Sequence, residues 1–389
     1  MEVVKIKDLR DSGSCEIFVE RFAGKVIGQP GACDVARLIY KAMNNPLRDR
    51  NRPLGVFALI GPSRTGKSFT AKALASLIHN DEKALVKLNC GDYTESHQVL
   101  EIKGAPPSYA GYQDPGKIKH LQPQDEDGTS PLSPHNLARA RRGSRRPVNI
   151  VLLDEFEKGH RELFKIFMSI FDDGQFTFGN GVKADYSDTV FILSMNLGMD
   201  KFEQSRQPVG FKTSSTNSAV EDLEIIVARE MRRYFKPEFR NRIDRVVVFK
   251  PHDHKGLVSI VRAEVMKLQM RILTGLEVSR CFLLTIDDAA CEHILRLGDA
   301  SDAAALKRVM EQVIVPALDS LRGHGDLGFG DRVTITVGDD GDLAFNVEPD
   351  AANQELFDLI PTIVSKDGWR HAPALARPLP ASCDRDRSR

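Results

Sequence analysis

The chain has 389 residues, and its 54 Lys and Arg balance 54 Asp and Glu, so the formal net charge is zero. This balance argues against a generally basic protein that coats nucleic acid, although it permits a local basic patch. The 29 Gly and 20 Pro are too few for a fibrous or low-complexity protein, and the 41% of hydrophobic residues are enough for a sizeable core. The length favours two folded units over one.

Six scattered cysteines form no C-x-x-C motif and have no histidine at zinc-finger spacing. We therefore expect reduced thiols, as in a cytosolic protein, rather than disulfides or a metal site. The first residues lack the apolar segment of a signal peptide. No apolar run approaches the roughly 20 residues of a membrane-spanning helix. Together these observations predict a soluble, cytoplasmic protein with no membrane partner.

The apolar pattern predicts alternating helices and strands through the first 250 residues. A short mixed lead covers residues 1–20, and the pattern becomes helical from Phe22. Polar surface loops are expected within 113–147 and over 204–218. The predicted buried strands are Val56–Ile60, Ala84–Leu88, Val148–Leu153 and Thr189–Leu193. Buried strands that alternate with helices indicate an α/β fold with a largely parallel sheet.

The pattern changes after Pro251. A long amphipathic helix is predicted from Leu257 to Ile272, and shorter helices near Ala289–Leu297 and from Ala303. Two alternating strands then flank the turn Gly338–Gly341, which is typical of a hairpin. These elements predict a smaller α+β domain. Beyond about residue 350 the composition favours disorder.

A phosphate-binding motif follows the first predicted strand and precedes a helix, the context that G-x-x-x-x-G-K-[ST] requires. It consists of Gly61, Pro62, Ser63, Arg64, Thr65, Gly66, Lys67 and Ser68. Such a loop curls its N–H groups around phosphate oxygens, and the helix N-terminus adds a positive dipole. Lys67 would reach the outer phosphates of ATP, and the Ser68 hydroxyl would be a ligand of Mg²⁺. The surrounding strand and helix disfavour the alternative of a chance match.

Two acids follow the predicted strand Val148–Leu153. Asp154 is placed to hold Mg²⁺ through its water shell, and Glu155 can orient and polarise an attacking water. The alternative is a pair of acids that merely end a strand. Because the phosphate loop is present, we favour the catalytic interpretation, and Mg-ATP hydrolysis is the leading chemistry.

The order of these and further motifs resembles the AAA+ ATPases of the Clp family, in particular the second ATPase module of ClpA, ClpB and ClpC. The motifs lie at residues 26–29, 61–68, 104–112, 153–158, 171–174 and 237–244. The resemblance implies a P-loop AAA+ three-layer α/β domain, in a stand-alone single-module form. It implies these divisions: a lead (1–20), the large ATPase domain (21–250), the small domain (251–349) and a weakly structured tail (350–389).

The resemblance also assigns roles to individual residues. Val26 and Ile27 would line an apolar slot for adenine. Asn196 would be the first sensor, near the γ-phosphate and the attacking water. Arg242 would be the arginine finger that reaches a neighbouring subunit's site, which implies a homo-hexameric ring. The alternative for Arg242 is an ordinary salt bridge with Asp244 or Glu238.

Two further segments resemble the family's loops for polypeptides. The segment Tyr109, Ala110 and Gly111 resembles the pore loop that grips an unfolded chain; a core tyrosine is the alternative. The tripeptide Val209, Gly210 and Phe211 resembles the anchor with which some members dock on a ClpP-like peptidase. Apolar residues that pack back on their own domain are an equal alternative there. The resemblance thus implies an ATP-dependent unfoldase or chaperone with unfolded or misfolded clients, and an adaptor or peptidase as partner.

One departure from the family leaves alternatives open. Ala304 stands where the family's second-sensor arginine is expected, which predicts weaker nucleotide coupling. A nucleotide-dependent scaffold or switch that hydrolyses ATP weakly is therefore one alternative. A nucleic-acid motor or loader is a less favoured one, because its only support is a short basic cluster that a solvated loop also explains. That cluster is Arg139, Arg141, Arg142, Arg145 and Arg146.

Overall fold

A computed structural model describes residues 13–103, 130–206, 216–275, 280–297, 303–323, 327–349 and 351. The chain divides into two compact units, residues 1–252 and 253–389. Each unit has its own apolar core. Among the described residues of both units, no helix is long and apolar enough to cross a membrane.

The first unit is built on a parallel sheet. Its described strands are β1 (Gly55–Ile60), β2 (Val86–Asn89), β3 (Asn149–Asp154), β4 (Gln175–Thr177), β5 (Lys183–Asp185), β6 (Thr189–Met195) and β7 (Arg245–Val248). Five of them form the sheet in the order β2-β3-β6-β1-β7, and every neighbouring pair is parallel. The strands β4 and β5 form a separate antiparallel pair.

Helices cover both faces of this sheet. They are α1 (Gly13–Lys25), α2 (Pro30–Asn44), α3 (Lys67–His79), α4 (Ser96–Lys103), α5 (Pro134–Ala140), α6 (Arg161–Asp173), α7 (Met199–Arg206), α8 (Thr216–Tyr234) and α9 (Pro237–Arg240). Alternate residues of a strand point to opposite faces, so Phe57 and Leu59 join the core beside α2 and α3. Val56 and Ile60 join the core beside α6 and α8. The predicted α/β architecture with a mainly parallel sheet is confirmed.

The first helix begins earlier than the pattern predicts. Helix α1 starts at Gly13, within the segment interpreted as a mixed lead before Phe22. Cys15, Phe18, Val19 and Phe22 are its buried residues, at the i, i+3, i+4 and i+7 spacing of one helical face. The exposed Ile17 lies between the members of this face and blurs the face in the sequence.

The second unit is a smaller α+β structure, as predicted. Its elements are α10 (His254–Gly275), β8 (Leu283–Ile286), α11 (Asp288–Leu297), α12 (Ala303–Val309), a π-helical turn (Met310–Ile314), α13 (Val315–Gly323), β9 (Arg332–Val337) and β10 (Leu343–Glu348). The predicted hairpin joins β9 to β10 in antiparallel register, while β8 pairs with β9 in parallel. Gly341 has a φ of 84°, which suits glycine in this tight turn. Ile294, Val333 and Ile335 lie in the core.

Candidate functional site

The phosphate loop lies at the carboxyl edge of the sheet, between β1 and α3. Gly61 follows β1 directly, and Lys67 opens α3. Arg64 and Gly66 have φ values of 66° and 98°, so the backbone turns sharply before the helix. A Cβ on Gly61 would overlap the main chain of Phe249, so only glycine fits there without a backbone shift. The loop thus leads directly into the N-terminus of α3. Free backbone N–H groups and the helix dipole favour anions at such a position.

Lys67 is the central cation of this loop. Its side chain is buried, with the residue 6% exposed. The Nζ atom donates hydrogen bonds to the carbonyl oxygens of Gly61 (2.7 Å) and Pro62 (2.6 Å) and to Oδ1 of Asn196 (2.9 Å). Burial lowers the pKa of Lys67 to about 8, against the opposing effect of nearby carboxylates. A partly desolvated ammonium of this kind gains strongly from an arriving phosphate.

Asp154 closes the other side of the loop, at the end of β3. Its Oδ1 accepts a hydrogen bond from Ser68 Oγ at 2.9 Å, and its Oδ2 lies 2.8 Å from Lys87 Nζ. Burial acts to raise the pKa of Asp154, but its bonds to Lys87 and Ser68 outweigh burial and hold that pKa below its ordinary value. An ionised carboxylate beside a hydroxyl is an oxygen donor set that fits Mg²⁺.

Glu155 adopts an unusual backbone conformation beside this acid. Its φ is 52°, a left-handed value that is rare for a residue other than glycine. Such backbone strain concentrates at functional sites, because the surrounding structure must enforce it. The Glu155 carboxylate is partly exposed and lies 2.9 Å from Lys158 Nζ. It is therefore accessible to water while Asp154 stays half-buried.

Asn196 follows β6 and meets the phosphate loop. Its side-chain oxygen accepts from Lys67, and its backbone N–H donates to Oε1 of Glu157 at 3.0 Å. Burial raises the pKa of Glu157, and two backbone N–H groups oppose that effect. The sequence assigned Glu157 no role, although the motif at 153–158 contains it. Its contact with Asn196 spans 39 residues, which no local pattern reveals.

A pocket of 330 Å³ lies among these side chains. Its lining consists of Ser63, Arg64, Ser68, Lys87, Asn89, Asp154, Glu155, Ser194 and Asn196. It therefore brings together predicted residues from the phosphate loop, the acid pair and the first sensor. The three that sequence reasoning missed are Lys87, Asn89 and Ser194. Lys87 interrupts the apolar residues of the edge strand β2. This charged residue within a strand was the one feature of the sequence that could have indicated a place in the site.

The predicted adenine segment lies near the phosphate loop. Val26 is buried in the core and Ile27 is half-buried. Gln29, to which the sequence assigned no role, donates from Nε2 to the Lys250 carbonyl at 2.8 Å and accepts from the Lys250 N–H at 3.2 Å. The same Nε2 lies 3.5 Å from the carbonyl of Thr65 in the loop. Gln29 therefore holds the segment beside both the loop and the end of β7.

Arg242 is not among the residues that line this pocket. Its guanidinium pairs with Asp172 and donates to the main-chain carbonyl of Glu238. The salt bridge that the sequence left open, with Asp244 or the Glu238 carboxylate, is not the one formed. Asp244 Oδ2 instead accepts from the Val56 N–H at 2.8 Å. Arg242 is thus held, partly exposed, on the turn that follows α9.

Several predicted residues lie outside the described residues. They are Tyr109, Ala110 and Gly111 of the pore-loop segment and Val209, Gly210 and Phe211 of the docking segment.

Ala304 belongs to helix α12, which begins at Ala303. In the basic cluster, Arg142 pairs with Asp81 and Arg141 donates to the Pro147 carbonyl.

A phosphate loop, an acid pair and a polar sensor at the ends of adjacent parallel strands define a P-loop protein of the AAA+ class. The sequence matches the family described as AAA domain (Cdc48 subfamily) over residues 52–124 and 131–246. It is 31% identical over 332 residues to the chaperone protein ClpB of Agrobacterium fabrum, covering 85% of this chain and 34% of that protein. The chain belongs to the Clp family of AAA+ ATPases.

A second relative is also similar in sequence, and a solved structure is similar in fold. The ClpB of Chlamydia caviae is 32% identical over 326 residues, covering 83% of this chain and 34% of that protein. The fold is similar to a cryo-electron microscopy reconstruction of Hsp104 in a closed state with ATPγS and FITC-casein. The TM-score is 0.64 at 22% identity, over 86% of this chain and 52% of that one. The chain spans about a third of the length of the curated relatives that it matches.

Proposed function

We propose that this chain binds Mg-ATP in the pocket beside the phosphate loop and hydrolyses it to ADP and phosphate. The observation that carries the proposal is one pocket lined by Ser68, Asp154 and Asn196, in which Ser68 is bonded to Asp154 and the Asn196 side chain to the Lys67 ammonium. Ser68 and Asp154 would hold Mg²⁺, which, when bound, neutralises charge on the phosphate oxygens. The loop N–H groups and Lys67 would bind the phosphates, and Val26 and Ile27 the base.

The remaining residues have roles in the hydrolytic step. Glu155 would orient a water molecule and take its proton as the water oxygen attacks the γ-phosphorus. The bond from that phosphorus to the bridging oxygen breaks, and the electron pair leaves with ADP. Asn196 would hold the γ-phosphate and the water in line, and Lys67 would offset the developing charge. Removal of one such group lowers rates by factors of about 10² to 10⁴.

The hydrolysis would drive an unfoldase or chaperone in the cytoplasm. Arg242 is partly exposed and does not line the pocket of its own chain, which supports a role in the site of a neighbouring subunit and hence a homo-hexameric ring. Tyr109 would then contact the threaded polypeptide. The chaperone names of the relatives and the casein in the Hsp104 reconstruction support unfolded polypeptides as clients. Residues 21–250 would form the ATPase domain and 251–349 the small domain.

The first test measures ATPase rate against protein concentration, with and without unfolded casein. We expect the rate to rise as subunits assemble, to increase with casein and to fall at least a hundredfold in Arg242→Ala and Glu155→Gln. Tyr109→Ala should abolish casein stimulation while basal hydrolysis stays, and Tyr112→Ala in the same segment is the matched control. A negligible rate in every condition, with ATP still bound, would favour the scaffold and make Ala304→Arg the variant to examine.

The same assay addresses a peptidase partner. Val209, Gly210 and Phe211 would dock on a ClpP-like peptidase, so Phe211→Ala should uncouple casein degradation from ATP hydrolysis in a mixture of the two proteins. If the mixture degrades no casein although the chain alone unfolds it, the chain acts as a chaperone without this partner.

A further inference from the structure

Glu157 is the point where the first-sensor residue meets the helices that precede Arg242. Its carboxylate Oε1 accepts the backbone N–H of Asn196 at 3.0 Å, which fixes the peptide that carries the sensor side chain. That side chain is bonded in turn to Lys67 in the phosphate loop. A shift of Asn196 toward or away from a phosphate therefore displaces the Glu157 carboxylate to which its N–H is bonded.

Tyr234 connects the same residue to helix α8. Its hydroxyl donates to the main-chain carbonyl of Glu157, across 77 residues of sequence. Tyr234 is the last residue of α8, and its side chain is half-exposed, so the hydroxyl is not needed to fill the core. The Tyr234 phenol is a protonated donor near neutral pH, as any ordinary tyrosine is, and burial and the Glu157 carboxylate raise its pKa further.

Aromatic packing makes this connection stiff. Phe156, next to Glu157, stacks on Phe235 and Phe239 with centroid separations of 6.0 and 5.6 Å. Phe235 follows Tyr234, and Phe239 lies in α9, whose carbonyl at that residue accepts the Arg242 N–H at 3.1 Å. Close-packed rings transmit displacement because they have few alternative arrangements. The route therefore ends at the backbone of the proposed arginine finger.

We infer that Glu157 and Tyr234 are positioning residues that couple the occupancy of a subunit's own nucleotide site to the placement of its own Arg242. In this proposal the turn Glu155–Lys158, which holds the strained left-handed residue Glu155, shifts as one body with the packed ring of Phe156. A phosphate at Asn196 shifts this turn, and Tyr234 passes the shift to the end of α8. The position of Arg242 in the next subunit's site then depends on whether the nucleotide site of its own subunit is occupied. This inference rests on the proposed ring and trans-acting Arg242.

The test uses two kinds of subunit. The site-owning subunit contributes the nucleotide site in which ATP is hydrolysed, and the lending subunit contributes Arg242 to that site. Mixed assemblies contain Arg242→Ala subunits, which own an intact site, and Glu155→Gln subunits, which hold ATP and lend a finger. Neither is active alone under the proposed function, so the ATPase rate of the mixture reports the lent finger. Tyr234→Phe is then added to one partner at a time, as is Tyr186→Phe. Tyr186 is the matched control, since its hydroxyl also donates to a main-chain carbonyl, that of Leu132, at 2.8 Å.

Tyr234→Phe in the lending subunit should lower the rate of the mixture roughly threefold to tenfold. In the site-owning subunit it should change the rate less than about twofold, and Tyr186→Phe should have no larger effect in either. In the lending subunit, Asn196→Ala should lower the rate similarly, and the double variant should be no worse than the worse single variant. Non-additivity of this kind is expected only of residues on one route.

The outcomes distinguish the two proposals. If no mixture is active, the trans-acting ring fails, and this inference fails with it. If the mixture is active but Tyr234→Phe in the lending subunit has no effect, only the inference fails. A loss confined to the site-owning subunit would also overturn it, because Tyr234 would then merely steady its own Asn196. Additive losses from Asn196→Ala and Tyr234→Phe would place the two residues on separate routes.

Discussion

The lowered pKa of Lys67 predicts that nucleotide affinity falls between about pH 7 and pH 9.5. With a pKa of about 8, the protonated fraction of Lys67 falls from about nine-tenths near pH 7 to about one thirtieth near pH 9.5. Bound phosphates hold the proton on the ammonium, so the whole loss appears in the apparent Kd. We expect affinity to fall about 30-fold over this range, or about 2 kcal/mol.

The assay is a titration with a fluorescent ATP analogue at constant excess Mg²⁺ across this pH range. Lys67→Arg is the matched control, because a guanidinium stays protonated throughout. Its affinity should be lower than that of the wild type but independent of pH. If Lys67→Arg shows the same decline, the titrating group lies elsewhere. A wild-type affinity that stays constant to about pH 9.5 would refute the lowered pKa itself.

Stability should change in the opposite direction. The pKa of Lys67 is about 8 in the folded chain and 10.5 for an ordinary lysine, so the unfolded chain binds more protons between these values. The free energy of unfolding, relative to Lys67→Met, should therefore rise with pH in this window. The difference between the two pKa values corresponds to roughly 3 kcal/mol for this buried side chain. Chemical denaturation without nucleotide measures it, and a difference that declines with pH would contradict the sign.

Three further changes test other parts of the molecule. Gly61→Ala should lower nucleotide affinity at least about tenfold and reduce Tm, because the new Cβ would overlap the Phe249 main chain. Ser68→Ala should raise the Mg²⁺ concentration for half-maximal ATP binding roughly tenfold, since the hydroxyl partner of Asp154 is lost. Ile294→Ala should cost the second unit about 2 to 5 kcal/mol in urea unfolding, because Ile294 is fully buried.

Each of these has a result that would count against its reasoning. Unchanged affinity in Gly61→Ala would mean that the loop relaxes away from Phe249. In Ser68→Ala, a similar loss of binding in the presence of EDTA would indicate damage to the loop rather than to the metal site. For Ile294→Ala, a cost below about 1 kcal/mol would show that the cavity collapses.

The sequence alone predicted the parts of the fold that rest on local pattern. The strand before Gly61 and the strand before Asp154 are apolar runs bounded by motif residues, so their ends could be located closely. Asn196 follows the last such run, but its role came from the resemblance to the Clp family and not from the pattern. Residues that act through distant partners were not found. Gln29 bonds to Lys250, and Glu157 to Asn196 and Tyr234, and nothing in the spacing of these residues marks a contact.

The salt-bridge partner of Arg242 could not be predicted from the sequence either. Asp244 is two residues away and was the natural choice for a salt bridge, but its carboxylate is taken by the N–H of Val56 at the start of the sheet. Asp172, at the end of α6, reaches Arg242 across 70 residues because both lie around the aromatic cluster of Phe171 and Phe239. Tertiary packing, rather than sequence distance, decided the pair.

The two hydrogen bonds between Gln29 and Lys250 join segments that are far apart in the chain. They connect the residue before α2 to the segment after β7, across 221 residues of sequence. Closing so long a stretch of chain has an entropy cost, which the packed sheet between the two segments must offset. The contact therefore reports on the folding of the whole first unit rather than of its first helices.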